Sequence, residues 1–129
     1  MLKYGIIEVT TRCQLRCKGC YMVRKDSLNG QQMTLEQAIN VLDLCKEYCG
    51  QELESMDILG GDPLLWPYLG AYIEELICRS IKPWVFTNML AINPEMAKWL
   101  FERNVYITGK MNINSNDPNQ LKIQAELLG

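Results

Sequence analysis

The sequence predicts an α/β protein, built as four successive βα units whose strands are parallel. Four short apolar or β-branched runs alternate with four stretches in which apolar residues recur at helical spacing. The chain between successive runs is long enough for a helix to cross back over the sheet, as parallel pairing with right-handed crossovers requires. At 129 residues the chain has the size of one domain, and we expect residues 1–129 to form it.

The first unit opens with the run YGIIEVT at 4–10, which is typical of a buried strand. After a polar stretch, Thr34 and Gln37 have the spacing of a capping box and predict the start of a helix. Gly50 marks the expected end of this helix. Its apolar face is predicted to carry Leu35, Ala38, Ile39, Leu42, Cys45 and Cys49.

The second unit consists of the short strand MDIL at 56–59, the turn sequence GGDP at 60–63, and a helix that we expect to begin at Pro67. Proline is favoured at the first position of a helix, where its missing N–H costs no hydrogen bond. The apolar face of this helix is predicted to carry Leu69, Ile73, Leu76 and Ile77.

The third unit pairs the strand KPWVFT at 82–87 with a helix that starts at Asn93 and Pro94. The fourth strand is VYIT at 105–108, with a possible continuation to Ile113, and Asp117 caps a last helix that ends at Leu128. The apolar side of the third helix is predicted to carry Met96, Ala97, Leu100 and Phe101.

Composition limits the functions that this chain can have. The formal charge is −2 and basic residues form no stripe, so binding of nucleic acid through its phosphates is not expected. The first residues contain no signal segment, and no apolar stretch approaches the roughly eighteen residues of a membrane span. We therefore expect a cytoplasmic protein without a membrane partner, in which the six cysteines bind metal or stay reduced.

Unusual residues follow each predicted strand. They are CQLRCKGCY at 13–21 after the first strand, GGDP at 60–63 after the second, Thr87 and Asn88 at the end of the third, and GKMN at 109–112 at the end of the fourth. Ligands of parallel α/β sheets bind beyond the carboxyl ends of the strands, where these loops lie. The sequence therefore predicts that the four loops converge on one site.

The first of these loops contains three cysteines, Cys13, Cys17 and Cys20, in a C-x3-C-x2-C pattern. A structural zinc site needs four ligands, usually cysteine or histidine, and the chain contains no histidine. Iron–sulfur clusters are held mainly by cysteine sulfur, and three ligands leave one iron open. We therefore favour an iron–sulfur cluster with a vacant coordination position, and a set of core thiols or an incomplete zinc site is the alternative.

Together with Gly60-Gly61-Asp62-Pro63 after the second strand, the cysteine pattern resembles radical S-adenosylmethionine (SAM) enzymes. The resemblance implies the first part of a partial (βα)6 barrel similar to a TIM barrel. It implies a four-iron four-sulfur (4Fe-4S) cluster held by Cys13, Cys17 and Cys20, with SAM chelating the open iron. It also implies an electron donor such as flavodoxin or ferredoxin, and reductive cleavage of SAM to a 5′-deoxyadenosyl radical that abstracts hydrogen from a substrate not yet identified.

The same resemblance assigns roles to the other loops. Residues 60–63 would line the methionine amino group of SAM, with Asp62 adding a charge-assisted bond to the ammonium. Thr87 and Asn88 would lie near the methionine or ribose of SAM, unless they merely cap the strand. Lys110 would neutralise the SAM carboxylate, unless it is a solvated surface side chain, with Asn112 beside it at the end of the fourth strand.

The sequence departs from the family pattern in two places. Gly19 precedes the third cysteine where many members have an aromatic residue or histidine, and Tyr21 follows it, so the contacts of adenine are left open. The chain also supplies four βα units of about six, so we expect a truncated domain whose open sheet edge is covered by another chain or a missing segment.

Two further functions stay open at this point: an inactive remnant or electron-transfer module that binds a cluster without cleaving SAM, and a structural zinc domain. Cys45, Cys49 and Cys78 lie among leucines and isoleucines, so we predict that they are buried thiols and not the ligands of a second cluster.

Overall fold

The computed structural model describes residues 4–12, 31–49 and 53–109. Four parallel strands form one sheet in the order β1-β2-β3-β4, which confirms the predicted α/β class and its successive βα units. The helix predicted after Asp117 and the continuation of the fourth strand to Ile113 lie outside the described residues. The elements are β1 (Tyr4–Glu8), α1 (Leu35–Cys49), β2 (Ser55–Leu59), a 3-10 turn (Pro63–Leu65), α2 (Leu69–Cys78), β3 (Lys82–Thr87), α3 (Pro94–Glu102) and β4 (Tyr106–Gly109).

The two faces of the sheet differ in what covers them. Ile7, Ile58 and Val85 occupy neighbouring register positions, are at most 2% exposed, and belong to the core between the sheet and the helices. The helices contribute Ala38, Leu42, Tyr72, Ile73, Leu76 and Leu100 to the same core. Side chains alternate between the faces of a strand, so the intervening residues lie on the other face, which we call the open face.

Two of the helix starts follow from local side-chain chemistry. Thr34 Oγ1 accepts a hydrogen bond from the Gln37 backbone N–H at 3.1 Å, and Gln37 Oε1 accepts one from the Thr34 N–H at 2.9 Å. This reciprocal pair is the predicted capping box of α1. Asn93 Oδ1 accepts from the Met96 N–H at 2.8 Å and so caps α3, which begins at Pro94. Both predictions are confirmed.

The start of α2 differs from the prediction. A 3-10 turn at Pro63–Leu65 follows Asp62, whose side chain caps it, and α2 begins at Leu69 and not at Pro67. The turn arises because the Asp62 carboxylate accepts from the Leu64 N–H while Pro63 supplies a preset φ at the first position.

Several residues that were predicted to be buried are exposed. Ile77 is 38% exposed and Phe101 is 83% exposed, and Ala97 is also exposed. The helix α3 inserts Leu100 into the core, and Phe101 points about 100° away from it because each residue turns a helix by that angle. Among the cysteines predicted as buried thiols, Cys49 is buried and Cys45 half-buried, but Cys78 is exposed, so the prediction is wrong for Cys78.

Within the described ranges, no helix is both long enough and apolar enough to cross a lipid bilayer.

Candidate functional site

The chain that leads from β1 to Cys13 is bonded directly to the glycine loop after β2. The Val9 N–H donates to the Leu59 carbonyl at 3.0 Å, so pairing continues beyond β1. The Gly61 N–H then donates to the Thr10 carbonyl and the Asp62 N–H to the Arg12 carbonyl, both at 2.7 Å. The segment 10–12, which ends one residue before the first cysteine, is therefore fixed against the loop that contains Gly61 and Asp62.

Gly60 and Gly61 are required by this close approach of the protein's own backbone. A Cβ atom on Gly60 would lie 2.4 Å from the Thr10 carbonyl oxygen, and one on Gly61 would lie 2.3 Å from that of Arg12. Real Cβ atoms do not approach other atoms this closely. The family resemblance implies that residues 60–63 line SAM; the structure adds that Gly60 and Gly61 admit the segment before Cys13.

The other end of the cysteine-containing segment returns to the same place. The Thr11 N–H donates to the Gln31 carbonyl at 2.8 Å, and the Gln31 N–H donates to Thr11 Oγ1 at 2.8 Å. Thr10 and Gln32 form an antiparallel bridge, and the Met33 N–H donates to the Val9 carbonyl at 2.8 Å. The described residues on either side of 13–30 are thus bonded to each other, next to the glycine loop.

Asp62 links the ends of β2 and β3. Its side chain is fully buried, and Oδ1 accepts from the Thr87 hydroxyl at 2.6 Å and from the Leu64 N–H at 3.2 Å. Thr87 Oγ1 in turn accepts from the Met89 N–H at 3.0 Å. These bonds give Asp62 a positioning task that the sequence did not indicate, while its predicted bond to an ammonium group stays a prediction.

Thr87 and Asn88 shape the loop after β3. They are 4% and 5% exposed, and each accepts a hydrogen bond from the backbone two residues ahead. For Asn88 this bond runs from the Leu90 N–H to Oδ1 at 2.9 Å. Such short-range bonds are typical of turns that begin at a strand end. Thr87 and Asn88 therefore form the turn at the end of β3, the alternative that the sequence left open. Their contacts with SAM stay a prediction.

The structure thus brings one group of predicted residues to a single edge of the sheet: Gly60, Gly61, Asp62, Pro63, Thr87 and Asn88. Cys13, Cys17, Cys20, Lys110 and Asn112 lie outside the described residues, as do Gly19 and Tyr21. Within the described ranges, no group of three or more cysteine, aspartate or glutamate side chains could hold a metal ion.

Sequence reasoning missed Thr10, Thr11, Arg12 and Gln31, the residues that fix the base of the cysteine segment. The two threonines directly after the first strand were a weak signal, since β-branched residues favour continued pairing. Gln31 carried no local signal, because its partner Thr11 is distant in sequence and the contact depends on the fold.

Comparison with known proteins agrees with this geometry. A family model described as the Radical SAM superfamily matches residues 7–124. A curated protein of Pyrococcus furiosus, the tungsten-containing aldehyde ferredoxin oxidoreductase cofactor-modifying protein, is 29% identical over 105 residues, which are 81% of this chain and 29% of that protein. The chain therefore spans less than a third of this curated relative.

Two solved structures have the same fold at low sequence identity. BtrN in complex with AdoMet and 2-DOIA superposes with a TM-score of 0.72 at 14% identity, over 93% of this chain and 50% of BtrN. Streptococcus suis SuiB bound to S-adenosylmethionine superposes with a TM-score of 0.62 at 21% identity, over 83% of this chain and 24% of SuiB. The matched fold therefore makes up only part of each of these longer chains.

Proposed function

Because the chain belongs to the radical SAM superfamily, a family that uses a 4Fe-4S cluster and SAM, we propose that it carries the cluster and SAM site of a radical SAM enzyme. Cys13, Cys17 and Cys20 are the proposed cluster ligands. When bound, the two cofactors would supply a 5′-deoxyadenosyl radical, formed together with methionine by one-electron reduction of SAM, for hydrogen abstraction from a substrate. A donor such as flavodoxin or ferredoxin would supply the electron.

The observation that carries this proposal is the bonding of segment 10–12 to the glycine loop. Hydrogen bonds of 2.7 Å join Thr10 to Gly61 and Arg12 to Asp62, so the segment before the first cysteine is bonded to the loop after β2. A cofactor that is chelated by a cluster on one side and held by the glycine loop on the other needs these two elements at a fixed separation. The described residues fit that requirement.

The remaining residues have proposed roles around this unit. Residues 60–63 would present backbone groups to the methionine amino group, with Asp62 holding the loop through Thr87. Thr87 and Asn88 would shape the wall near the methionine or ribose, and Lys110 and Asn112 would face the SAM carboxylate. The side chains of this chain bind and orient, while the cofactors carry the chemistry.

The relatives are longer than this chain. The activity and the substrate of a complete protein of this kind are therefore part of what we propose. The described edge strand β4 pairs with β3 on one side only. Further βα units, or a second copy of the chain, would cover the other side, since an open edge promotes aggregation.

Anaerobic reconstitution with iron and sulfide tests the proposal. We expect about four iron and four sulfide ions per chain and dithionite-dependent release of 5′-deoxyadenosine from SAM. Cys17→Ala should abolish cluster loading because it removes a ligand. Cys78→Ala is the matched control, since it removes an exposed thiol on α2, and Cys45→Ala a half-buried one on α1; both should load normally.

Three results would contradict the proposal in different ways. Zinc without acid-labile sulfide would indicate the structural zinc domain. A loaded cluster without cleavage of SAM would indicate the remnant or electron-transfer module. Normal loading of Cys17→Ala together with loss of loading in Cys45→Ala would show that the ligand assignment is wrong.

A further inference from the structure

The open face of the sheet carries three aromatic side chains, Trp84, Phe86 and Tyr106, which we call the aromatic shelf. The rings of Trp84 and Phe86 stack with their centroids 5.9 Å apart, and the Tyr106 ring lies 5.4 Å from that of Trp84. The Trp84 indole N–H donates to Thr108 Oγ1 at 2.7 Å. These contacts fix the indole in one orientation, yet 38% of Trp84 and 47% of Tyr106 remain exposed.

Asp57 stands beside this shelf on the neighbouring strand. It is in register with Trp84 on β3 and with Ile6 on β1, so the three side chains form one row across the open face. In the parts of the chain that the structure describes, no hydrogen bond or ion pair engages the half-buried Asp57 carboxylate. Its apolar neighbours remove water, and this burial raises the pKa of Asp57 above its usual value.

We propose that Asp57 and the aromatic shelf form a subsite for a cationic organic group of the substrate, an alkylammonium or a guanidinium. A carboxylate pairs with such a group through charge-assisted hydrogen bonds, and the faces of aromatic rings attract it as well. This inference rests on the proposed function, since it names the class of molecule that the same sheet would hold for reaction.

The position of the subsite sets the length of that molecule. Asp57 lies three residues before Gly60, and Trp84 lies three residues before Thr87, on strands that run toward the predicted cofactor site. At about 3.3 Å per residue, the cationic group would sit about 10 Å from the strand ends. The substrate would therefore extend about 10 Å along the sheet, from the strand ends to its ammonium or guanidinium.

Charge on the open face disfavours a second copy of the chain as its occupant. The ionisable groups at open-face positions of the strands are Tyr4 and Glu8 on β1, Asp57 on β2, Lys82 on β3 and Tyr106 on β4. Asp57 is the acidic group in register with Trp84, so a cation would be attracted to the shelf, whereas a second copy would bring another Asp57 carboxylate to the same face.

The subsite is tested by fluorine NMR of the 129-residue chain labelled with 5-fluorotryptophan, with the Trp84 resonance assigned through Trp84→Phe. The probes are phenethylammonium and 2-phenylethanol, which have similar size and differ in charge. We expect phenethylammonium to shift the Trp84 resonance saturably and to bind about tenfold more tightly than the alcohol.

Two charge-removing variants separate the subsite from general electrostatics. Asp57→Asn should weaken phenethylammonium binding about tenfold and leave the alcohol unchanged. Glu47→Gln, which removes the same charge from an exposed position on α1, should change neither. The fold raises the pKa of Asp57, so the protein loses stability as the pH rises above the usual pKa of an aspartate and this carboxyl ionises. Asp57→Asn removes this loss and should therefore unfold at a higher temperature than the original protein at neutral pH.

Equal binding of the two probes, or unchanged binding by Asp57→Asn, would overturn the proposal. So would a Trp84 resonance that neither probe shifts but that does shift with protein concentration, as analytical ultracentrifugation shows the chain to associate. The titration needs neither iron nor SAM, so a chain that fails to load a cluster but binds phenethylammonium would refute the proposed function and retain the subsite.

Discussion

At the scale of single residues, the site is most tightly constrained at Gly61. Its Cα faces the Arg12 carbonyl, and its N–H is bonded to the Thr10 carbonyl. Any side chain there must displace the segment that leads to Cys13. The glycine pair is therefore a requirement of the protein's own packing as well as of the proposed cofactor.

We predict that Gly61→Ala lowers cluster loading, because the new Cβ, 2.3 Å from the Arg12 carbonyl oxygen, must push segment 10–12 away from the loop. Iron and acid-labile sulfide per chain measure this effect after anaerobic reconstitution. Gly70→Ala is the control: it lies in α2, its Cβ would meet nothing closer than 3.9 Å, and alanine favours a helix by about 0.5–1 kcal/mol. Equal loading of the two variants would show that the approach at Gly61 does not hold the cysteine segment.

At the scale of elements, the ends of β2 and β3 are joined by one buried hydrogen bond, from the Thr87 hydroxyl to Asp62 Oδ1. The same carboxylate starts the 3-10 turn through Leu64, and the same hydroxyl starts the turn after β3 through Met89. The positions of the two loops are therefore coupled through Asp62 and Thr87.

Replacing Thr87 by valine should destabilise the protein by about 1–3 kcal/mol, because a buried carboxylate and a backbone N–H each lose a partner while the volume is kept. Urea unfolding of the reconstituted or cluster-free chain measures the free energy of unfolding. Thr87→Ser keeps the hydroxyl and should remain within about 1 kcal/mol of the original. A valine variant as stable as the serine variant would mean that the bond contributes nothing to the fold.

The elements that could be predicted from sequence are those with strong local signals. Lys82–Thr87 was predicted with its observed bounds, and the capping box of Thr34 and Gln37 placed the start of α1. The start of α2 was misplaced because the Asp62 cap and Pro63 formed a separate turn before it. Phe101 was placed in the core because helical periodicity cannot tell which of two adjacent apolar residues, Leu100 or Phe101, meets the sheet.

The candidate site shows the same limit. Of the four loops predicted to converge, residues 60–63 and 87–88 lie together in the described part of the chain, since strand order determines where the loops lie. The bonds from Thr10 and Arg12 to the glycine loop, and from Thr87 to Asp62, depend on the register between strands, which no local pattern encodes.

At the scale of the whole molecule, the helix side and the open face of the sheet are organised differently. On the helix side, Arg79 at the end of α2 pairs with Asp43 of α1 at 2.6 Å, and Arg103 at the end of α3 pairs with Glu74 of α2 at 2.8 Å. These ion pairs are partly solvent-exposed, so each contributes little to stability. They nevertheless link α1 to α2 and α2 to α3. The open face instead retains exposed aromatic and aliphatic groups and the Asp57 carboxylate, as expected of a surface that binds something further.

The central claim is that the cysteine segment, which directly follows the residues bonded to the glycine loop, carries a cluster with one iron open to SAM. Electron paramagnetic resonance of the dithionite-reduced, reconstituted chain tests it most directly. We predict that adding SAM changes the g-values of the reduced cluster, because the amino and carboxylate groups of SAM would become ligands of one iron. A fully loaded cluster whose spectrum is the same with and without SAM would contradict the account.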